Sequence, residues 1–171
     1  MERKGIITFK GNPLTLVGPE LKVGDNAPDF MALDGALQPK KFSDFKGQTV
    51  IISSVPSLDT PVCELQTKKF SKEAANLNVK VLTISMDLPF AQKRFCEAYS
   101  IQNITVLSDF KDRNFGNTYG LLIKELGLLA RAVLVVANGK IVYFEIVKEV
   151  TQEPNYQGAL DKVRTLQPVG R

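Results

Sequence analysis

Runs of apolar, β-branched residues alternate with helix-length segments along most of this chain, and this alternation constrains its fold more than any other feature. The predicted buried strands lie at residues 49–55, 79–86 and 104–107. The predicted helices lie at residues 61–77, 89–99, 112–119 and 155–166. Asn138-Gly139, a strong hairpin signal, joins two further strands at residues 132–137 and 141–146. The order β-α-β-α-β-α-β-β-α predicts an α/β fold in which helices flank both faces of a central mixed sheet.

Two short alternating runs at the N-terminus, residues 6–9 and 14–17, predict a β-hairpin around the turn Gly11-Asn12-Pro13. Residues 30–33 predict another short strand, and residues 42–45 predict a single helical turn. The sequence has no internal repeat and no linker-like segment. The whole chain of 171 residues is therefore predicted to form one domain.

The chain contains no histidine, which excludes several classes of enzyme. Ser-His-Asp and Cys-His hydrolases need an imidazole base, so neither class fits. Two cysteines without histidine cannot complete the usual four-ligand shell of zinc. The sequence also lacks the glycine-rich motifs that bind phosphates. We therefore predict no metal and no cofactor.

The 22 basic residues are interleaved with 18 acidic ones, which is typical of a solvated surface rather than a nucleic-acid interface. The first residues contain no apolar stretch of signal-peptide length, and the longest apolar run, residues 132–137, is too short to span a bilayer. These features predict a cytoplasmic, soluble protein that binds neither nucleic acid nor membranes. In a reducing compartment, two cysteines are not expected to form a structural disulfide.

The segment PSLDTPVC, residues 56–63, lies where a central strand is followed by a helix. Thr60 is the predicted N-cap and Pro61 the first helical residue, which places Cys63 in the first turn. The free backbone N–H groups and the positive end of the helix dipole favour a thiolate there, and they can bind an incoming oxygen. From position alone, a buried and inert Cys63 beside a plain N-cap is equally compatible.

Helical periodicity predicts which side of each helix is buried. In the first helix, Cys63 lies at the edge of an apolar arc formed by Val62, Leu65, Phe70, Ala74 and Leu77. In the second helix, for which Asp87 is a plausible cap, Cys96 lies with Gln92 and Lys93 opposite a face formed by Phe90, Ala91, Phe95 and Ala98.

Cys96 is therefore not easily explained by packing, although an incidental surface thiol remains an alternative. A disulfide requires Cα atoms within about 7 Å of each other. If Cys63 and Cys96 lie on separately packed helices, joining them requires local unfolding of the first turn around Cys63, of the helix around Cys96, or of both.

Arg131 interrupts the apolar run at residues 128–136. A guanidinium is rarely buried without a partner, so Arg131 is either exposed at the start of the strand or faces an anion. Exposure is the commoner outcome for a lone arginine. In the functional interpretation, Arg131 faces the thiolate of Cys63 and stabilises charge on peroxide oxygens.

Together these residues resemble the peroxiredoxin family, whose active-site loop reads Pro-x-x-x-Thr/Ser-x-x-Cys; Pro56, Thr60 and Cys63 match it. PSLDTPVC, DLPFAQKRFC at residues 87–96 and LLARAV at residues 128–133 resemble the bacterial thiol peroxidase branch of atypical two-cysteine enzymes. The segment between Gly120 and Arg131 is a few residues shorter than the family pattern.

The resemblance implies a thioredoxin-like fold, a homodimer, and thioredoxin as the electron donor. It implies that Cys63 is the peroxidatic cysteine and that Cys96 resolves it by forming an intramolecular disulfide. Thr60 and Arg131 would activate the sulfur and orient the peroxide, and Pro56 would shield it. The substrates would be hydrogen peroxide and organic hydroperoxides, and no cofactor would be needed.

Two other functional classes remain open on the sequence. A thioredoxin-like redox sensor or thiol–disulfide exchanger would have the same cysteines without peroxidase turnover. A binding module that uses the fold as a scaffold would tolerate Cys63→Ser without biochemical consequence.

Overall fold

The computed structural model describes residues 1–101 and 103–166. The four helices are α1 (Pro61–Ala74), α2 (Pro89–Ala98), α3 (Asn114–Tyr119) and α4 (Tyr156–Leu166). The strands are β1 (Glu2–Phe9), β2 (Asn12–Val17), β3 (Met31–Leu33), β4 (Pro39–Lys41), β5 (Val50–Ser54), β6 (Lys80–Ser85), β7 (Thr105–Ser108), β8 (Leu122–Ile123), β9 (Leu128–Leu129), β10 (Ala132–Ala137) and β11 (Lys140–Ile146). Phe42–Phe45 forms the predicted single turn, as a 3₁₀ helix. Within these residues, no helix combines the length and apolarity needed to cross a membrane.

The main sheet has seven strands in the order β11-β10-β5-β6-β7-β3-β4. β5, β6 and β7 are parallel, whereas β10 runs antiparallel to both β5 and β11. The predicted mixed central sheet is therefore confirmed.

Alternate side chains of the main sheet supply two cores, one on each face. Ile51 packs with Phe70 of α1 and Leu160 of α4. The neighbouring Ile52 belongs to the opposite core, which includes Phe115 of α3. Helices therefore flank both faces, as the alternation of strands and helices predicted.

The predicted N-terminal hairpin is also confirmed, and it belongs to a second sheet. β1 and β2 pair antiparallel, and β8 and β9 extend them into four strands. β8 and β9 were not predicted, because two-residue strands are too short to show an alternating pattern. Near the turn of the hairpin, Thr8 of β1 bonds to residues 148–150, in the connection between β11 and α4.

Helix α1 ends at Ala74, three residues before the predicted end. The apolar Leu77 continues the helical pattern, but Asn76 and Asn78 favour turns because their side chains compete for backbone hydrogen bonds. The helix therefore ends before its apolar pattern does, because the residues around Leu77 favour a turn.

Candidate active site

Cys63 is fully buried in the first turn of α1, where the main sheet leads into the helix. Thr60 is the N-cap, as predicted: its Oγ1 accepts the N–H of Cys63 at 3.2 Å and donates to the carbonyl of Ser57 at 3.2 Å. One turn later, Thr67 Oγ1 donates to the Cys63 carbonyl at 2.9 Å. The backbone of Cys63 is thus held on both sides.

The loop before α1, residues 56–60, is anchored by the carboxylate of Asp87, two residues after the end of the neighbouring strand β6. Ser57 Oγ donates to Asp87 Oδ1 at 2.7 Å. The Leu58 N–H and Ser85 Oγ both donate to Asp87 Oδ2 at 2.7 Å. Pro56, at the start of the loop, is buried. The loop that presents Cys63 is therefore part of a fixed hydrogen-bond network.

The prediction that Asp87 caps α2 is wrong. The N-cap of α2 is Leu88, and it makes no side-chain capping bond. Asp87 does not cap the helix because its carboxylate accepts hydrogen bonds from Ser57, Leu58 and Ser85 instead. Asp87 therefore stabilises the loop before Cys63 rather than the start of the helix that carries Cys96.

The buried side of α1 differs from the predicted arc. Leu65 is exposed, and the buried residues follow an i, i+3, i+4, i+7 stripe that starts at Cys63. Its members are Cys63, Gln66, Thr67, Phe70 and Ala74. The predicted arc was wrong because it placed Leu65 on the buried side. The polar Gln66 and Thr67 are buried instead, since Gln66 bonds to Ser53 and Arg131 and Thr67 bonds to the Cys63 carbonyl.

Arg131 is buried, with 2% of its surface exposed, so the commoner expectation of an exposed arginine is wrong. Its Nε donates to the Val150 carbonyl at 2.8 Å and its Nη1 to Gln66 Oε1 at 3.1 Å. Gln66 Nε2 in turn donates to Ser53 Oγ on β5 at 2.7 Å. These neutral acceptors hold the guanidinium on the side of α1 that carries Cys63.

The charge of Arg131 is not balanced by an acid. Within residues 1–101 and 103–166, no carboxylate lies at ion-pair distance from it, and no residue accepts a hydrogen bond from its Nη2. Burying a cation without an anion is unfavourable. The site is thus suited to an anion, and the Cys63 side chain lies on the same buried face of α1 as Gln66.

The pKa of Tyr156, at the start of α4, is affected by both Arg131 and Cys63. Burial raises the pKa of its hydroxyl, and its hydrogen bond to Glu153 at 2.8 Å raises that pKa further. Arg131 lowers the same pKa and Cys63 raises it, so the two lie within electrostatic range of one hydroxyl. Sequence reasoning missed Tyr156 and Gln66; the spacing of Gln66, three residues after Cys63, was the available signal.

Cys96 is half-buried and packs against the apolar cluster that contains Cys63, Val55, Leu58 and Phe95. The prediction that Cys96 points away from the buried side of α2 is wrong. Both cysteines are free thiols. Burial raises the pKa of the Cys96 thiol, and the adjacent Glu97 raises it further.

The predicted apolar face of α2 is instead largely solvated, since Phe90 is 63% exposed. Gln92 occupies the inner side, where its Nε2 donates to Ser85 Oγ at 3.0 Å and to the Leu107 carbonyl at 2.8 Å. These two bonds hold the polar Gln92 on the buried side of α2. The buried side is therefore not the side that the apolar residues alone predicted.

The end of α2 nearest Cys96 closes in a strained turn. The Ile101 N–H donates to the Cys96 carbonyl at 2.9 Å, which is a Schellman pattern. The left-handed position of that pattern is occupied by Ser100, with φ of 55°. Glycine normally takes this position because a Cβ is unfavourable there.

Comparison with known proteins identifies the family. The family model described as Redoxin matches residues 22–160. The thiol peroxidase of Bacillus subtilis is 53% identical over 162 residues, which covers 94% of this chain and 97% of that relative. The chain belongs to the thiol peroxidases of the redoxin family. The thiol peroxidase of Aquifex aeolicus is 52% identical over 165 residues, 94% of this chain and 97% of the relative.

Solved structures agree with this placement in the redoxin family. The crystal structure of a peroxiredoxin-like protein from Aquifex aeolicus superposes with a TM-score of 0.89 at 50% identity, covering 96% of this chain and 98% of that one. The thiol peroxidase from Chromobacterium violaceum, 20% identical, shares the fold with a TM-score of 0.82. The predicted thioredoxin-like fold is confirmed, and the chain is a peroxiredoxin-type peroxidase.

Proposed function

We propose that the chain reduces hydrogen peroxide and organic hydroperoxides, with Cys63 as the peroxidatic cysteine and Cys96 as the resolving cysteine. The observation that carries this proposal is the buried, acid-free guanidinium of Arg131, held through Gln66 on the same helix face as Cys63. A thiolate at Cys63 supplies the anion that this position otherwise lacks.

In the first step, the Cys63 thiolate attacks one peroxide oxygen. The S–O bond forms as the O–O bond breaks, and the leaving oxygen takes a proton and departs as water or an alcohol. The Nη2 of Arg131 stabilises the charge that develops on the oxygens, and Thr60 orients the peroxide beside the sulfur. Pro56, buried at the start of the loop, shields the sulfur.

A surface cleft lies next to the apolar cluster that contains Cys63. The cleft, of about 250 Å³, is lined in part by Leu58 and Phe95. The same two side chains pack in the cluster that contains Cys63. Because these side chains border the cleft and also pack in the cluster of Cys63, a movement of either would open a path from the cleft toward the sulfur.

In the second step, the Cys96 sulfur attacks the Cys63 sulfenic acid. The S–S bond forms, the S–O bond breaks, and water leaves. The common apolar cluster of the two cysteines supports this intramolecular pairing. An external dithiol of the thioredoxin type then reduces the disulfide by exchange, which returns both thiols.

The cysteines and the surface support a proposal for the compartment and the oligomeric state. The proposed disulfide is transient and catalytic, which is the use that disulfides find in a reducing compartment, so we place the reaction in the cytoplasm. Leu88 and Phe90 expose large apolar side chains at the start of α2, which supports association into a homodimer. Sedimentation of the reduced chain tests the dimer, and a monomer at micromolar concentration would contradict it.

Peroxide consumption coupled to thioredoxin tests the proposed function. Cys63→Ser is expected to abolish consumption, because no other residue forms the sulfenic acid. Cys96→Ser is expected to complete one turnover and then to accumulate over-oxidised Cys63, seen by mass spectrometry. Sustained turnover by Cys96→Ser would disprove its resolving role, and an inactive parent would favour a redox sensor or a binding module.

A further inference from the structure

Residues 147–151, between β11 and α4, hold Arg131 at two points. The Val147 N–H donates to the Arg131 carbonyl at 2.9 Å. The Arg131 side chain donates from Nε to the Val150 carbonyl at 2.8 Å. The position of the guanidinium therefore depends on this connection as well as on Gln66.

The N-terminal hairpin holds the same connection. The Thr8 N–H donates to the Lys148 carbonyl at 2.7 Å, and the Val150 N–H donates to the Thr8 carbonyl at 2.9 Å. β1 thus bonds to both neighbours of Glu149 along the chain. The Val150 peptide that supports Arg131 is fixed directly by the hairpin.

The Glu149 carboxylate lies at the centre of this contact. Its Oε1 accepts from Thr8 Oγ1 at 2.8 Å and from the Gly11 N–H at 2.9 Å. Its Oε2 accepts from the Lys10 N–H at 3.1 Å, and from the N–H and Oγ1 of Thr151 at 3.0 and 2.7 Å. The Glu149 carboxylate therefore joins the tip of the hairpin to Thr151 in the connection between β11 and α4.

We propose that Glu149 is a positioning residue for Arg131, which makes the N-terminal hairpin a structural part of the redox site. By fixing residues 147–151 against the hairpin, Glu149 keeps the Val150 carbonyl in place for Arg131 Nε. The guanidinium then stays bonded to Gln66, on the side of α1 that carries Cys63. This inference rests on the proposed role of Arg131 in the reaction of Cys63.

The chain contains a matched control at another part of the same hairpin. Glu125 accepts the N–H and the Oγ1 of Thr15, both at 2.8 Å. Like Glu149, it accepts hydrogen bonds from a threonine hydroxyl and from backbone N–H of the hairpin. Its hydrogen bonds reach neither residues 147–151 nor Arg131, so it tests the general effect of loosening the hairpin.

The first test compares the rate constants for the reaction of Cys63 with hydrogen peroxide in a single turnover. Glu149→Gln replaces one acceptor oxygen with an NH₂ group, and we expect the rate to fall about tenfold, because small displacements of a positioned group are costly. Thr8→Val, which keeps the side-chain volume, is expected to reduce it about threefold. Glu125→Gln and Thr15→Val are expected to stay within about twofold of the parent.

The second test asks whether Glu149 acts through Arg131. In an Arg131→Ala background, Glu149→Gln is expected to cause no further loss of rate, since the group that it positions is gone. An equal loss in both backgrounds would overturn the proposal. Rates for Glu149→Gln and Thr8→Val that equal those of the Glu125 and Thr15 controls would also overturn it.

A third measurement separates failure of this inference from failure of the proposed function. Alkylation of Cys63 by iodoacetamide at neutral pH, in a Cys96→Ser background, requires no peroxide chemistry. Glu149→Gln is expected to slow alkylation about threefold or more, whereas Glu125→Gln leaves it unchanged. Unchanged alkylation in both variants overturns the positioning role, whether or not the parent consumes peroxide.

Discussion

Helices α1 and α2 follow neighbouring parallel strands, begin with a proline, and carry one cysteine each. Their surroundings differ. The start of α1 has the Thr60 cap, and its loop has the Asp87 carboxylate. α2 has no side-chain cap at its start and a left-handed Ser100 beyond its end.

The charges around the two sulfurs differ in the same way. The buried cation Arg131 bonds to the helix face that carries Cys63, whereas the acidic Glu97 follows Cys96 and adds to the effect of burial on the Cys96 pKa. One repeated strand–helix unit thus provides a fixed sulfur in a cationic site and a second sulfur, protonated at neutral pH, on a less constrained helix. We infer that Cys63 stays in place and that Cys96 moves to it.

The largest expected effect comes from removing the cation. Arg131→Ala is expected to slow the reaction of Cys63 with peroxide about a hundredfold, as loss of a preorganised charge donor does in other enzymes. Arg164→Ala, which removes an exposed arginine paired with Asp161, is the control and should have no effect. Stopped-flow measurement of the first turnover checks both variants, and a loss below about threefold would remove Arg131 from the chemistry.

The pH dependence of the second step is the next largest effect. Burial raises the pKa of Cys96, so its reactive thiolate fraction should increase about tenfold per pH unit above neutrality. Disulfide formation, followed by quenching and mass spectrometry, should accelerate by about that factor from pH 7 to pH 8. Glu97→Gln should increase the rate at pH 7; a profile independent of pH would contradict the contrast between the two thiols.

The smallest expected effect concerns the strained end of α2. Ser100→Gly removes the cost of a side chain in the left-handed region, about 1 kcal/mol, and should stabilise the helix end that holds Cys96. Disulfide formation should then slow up to about fivefold, while the first step is unchanged. Asn138→Gly, at another left-handed residue in the β10–β11 turn, is the control and should leave disulfide formation unaffected.

Features set by neighbouring residues were predictable from the sequence. The hairpin, the Thr60 cap, the place of Cys63 in the first turn and every strand of the main sheet except β4 depend on local pattern and turn chemistry, and the structure confirms them. The three-residue β4 was not predicted. These features placed Cys63 where a thiolate is favoured, and the resemblance to the peroxiredoxin family, not the position alone, pointed to thiol chemistry there.

Features that depend on distant partners were not predictable. The inner side of α2 is decided by bonds from Gln92 to Ser85 and Leu107, and the inner side of α1 by bonds from Gln66 to Ser53 and Arg131. Helical periodicity counts apolar residues only, so it misplaced both faces. The burial of Arg131 likewise depends on the carbonyl of Val150, on a connection that no local pattern relates to residues 128–136.

Amide hydrogen exchange of the reduced and the disulfide forms tests directly whether Cys96 moves to a fixed Cys63. The segments to compare are residues 60–66 and 89–99, with β6 as the internal reference. We expect oxidation to remove protection from residues 89–99 and to leave residues 60–66 as protected as in the reduced form. Loss of protection at residues 60–66 with an intact α2, or equal protection of all segments in both forms, would contradict the account.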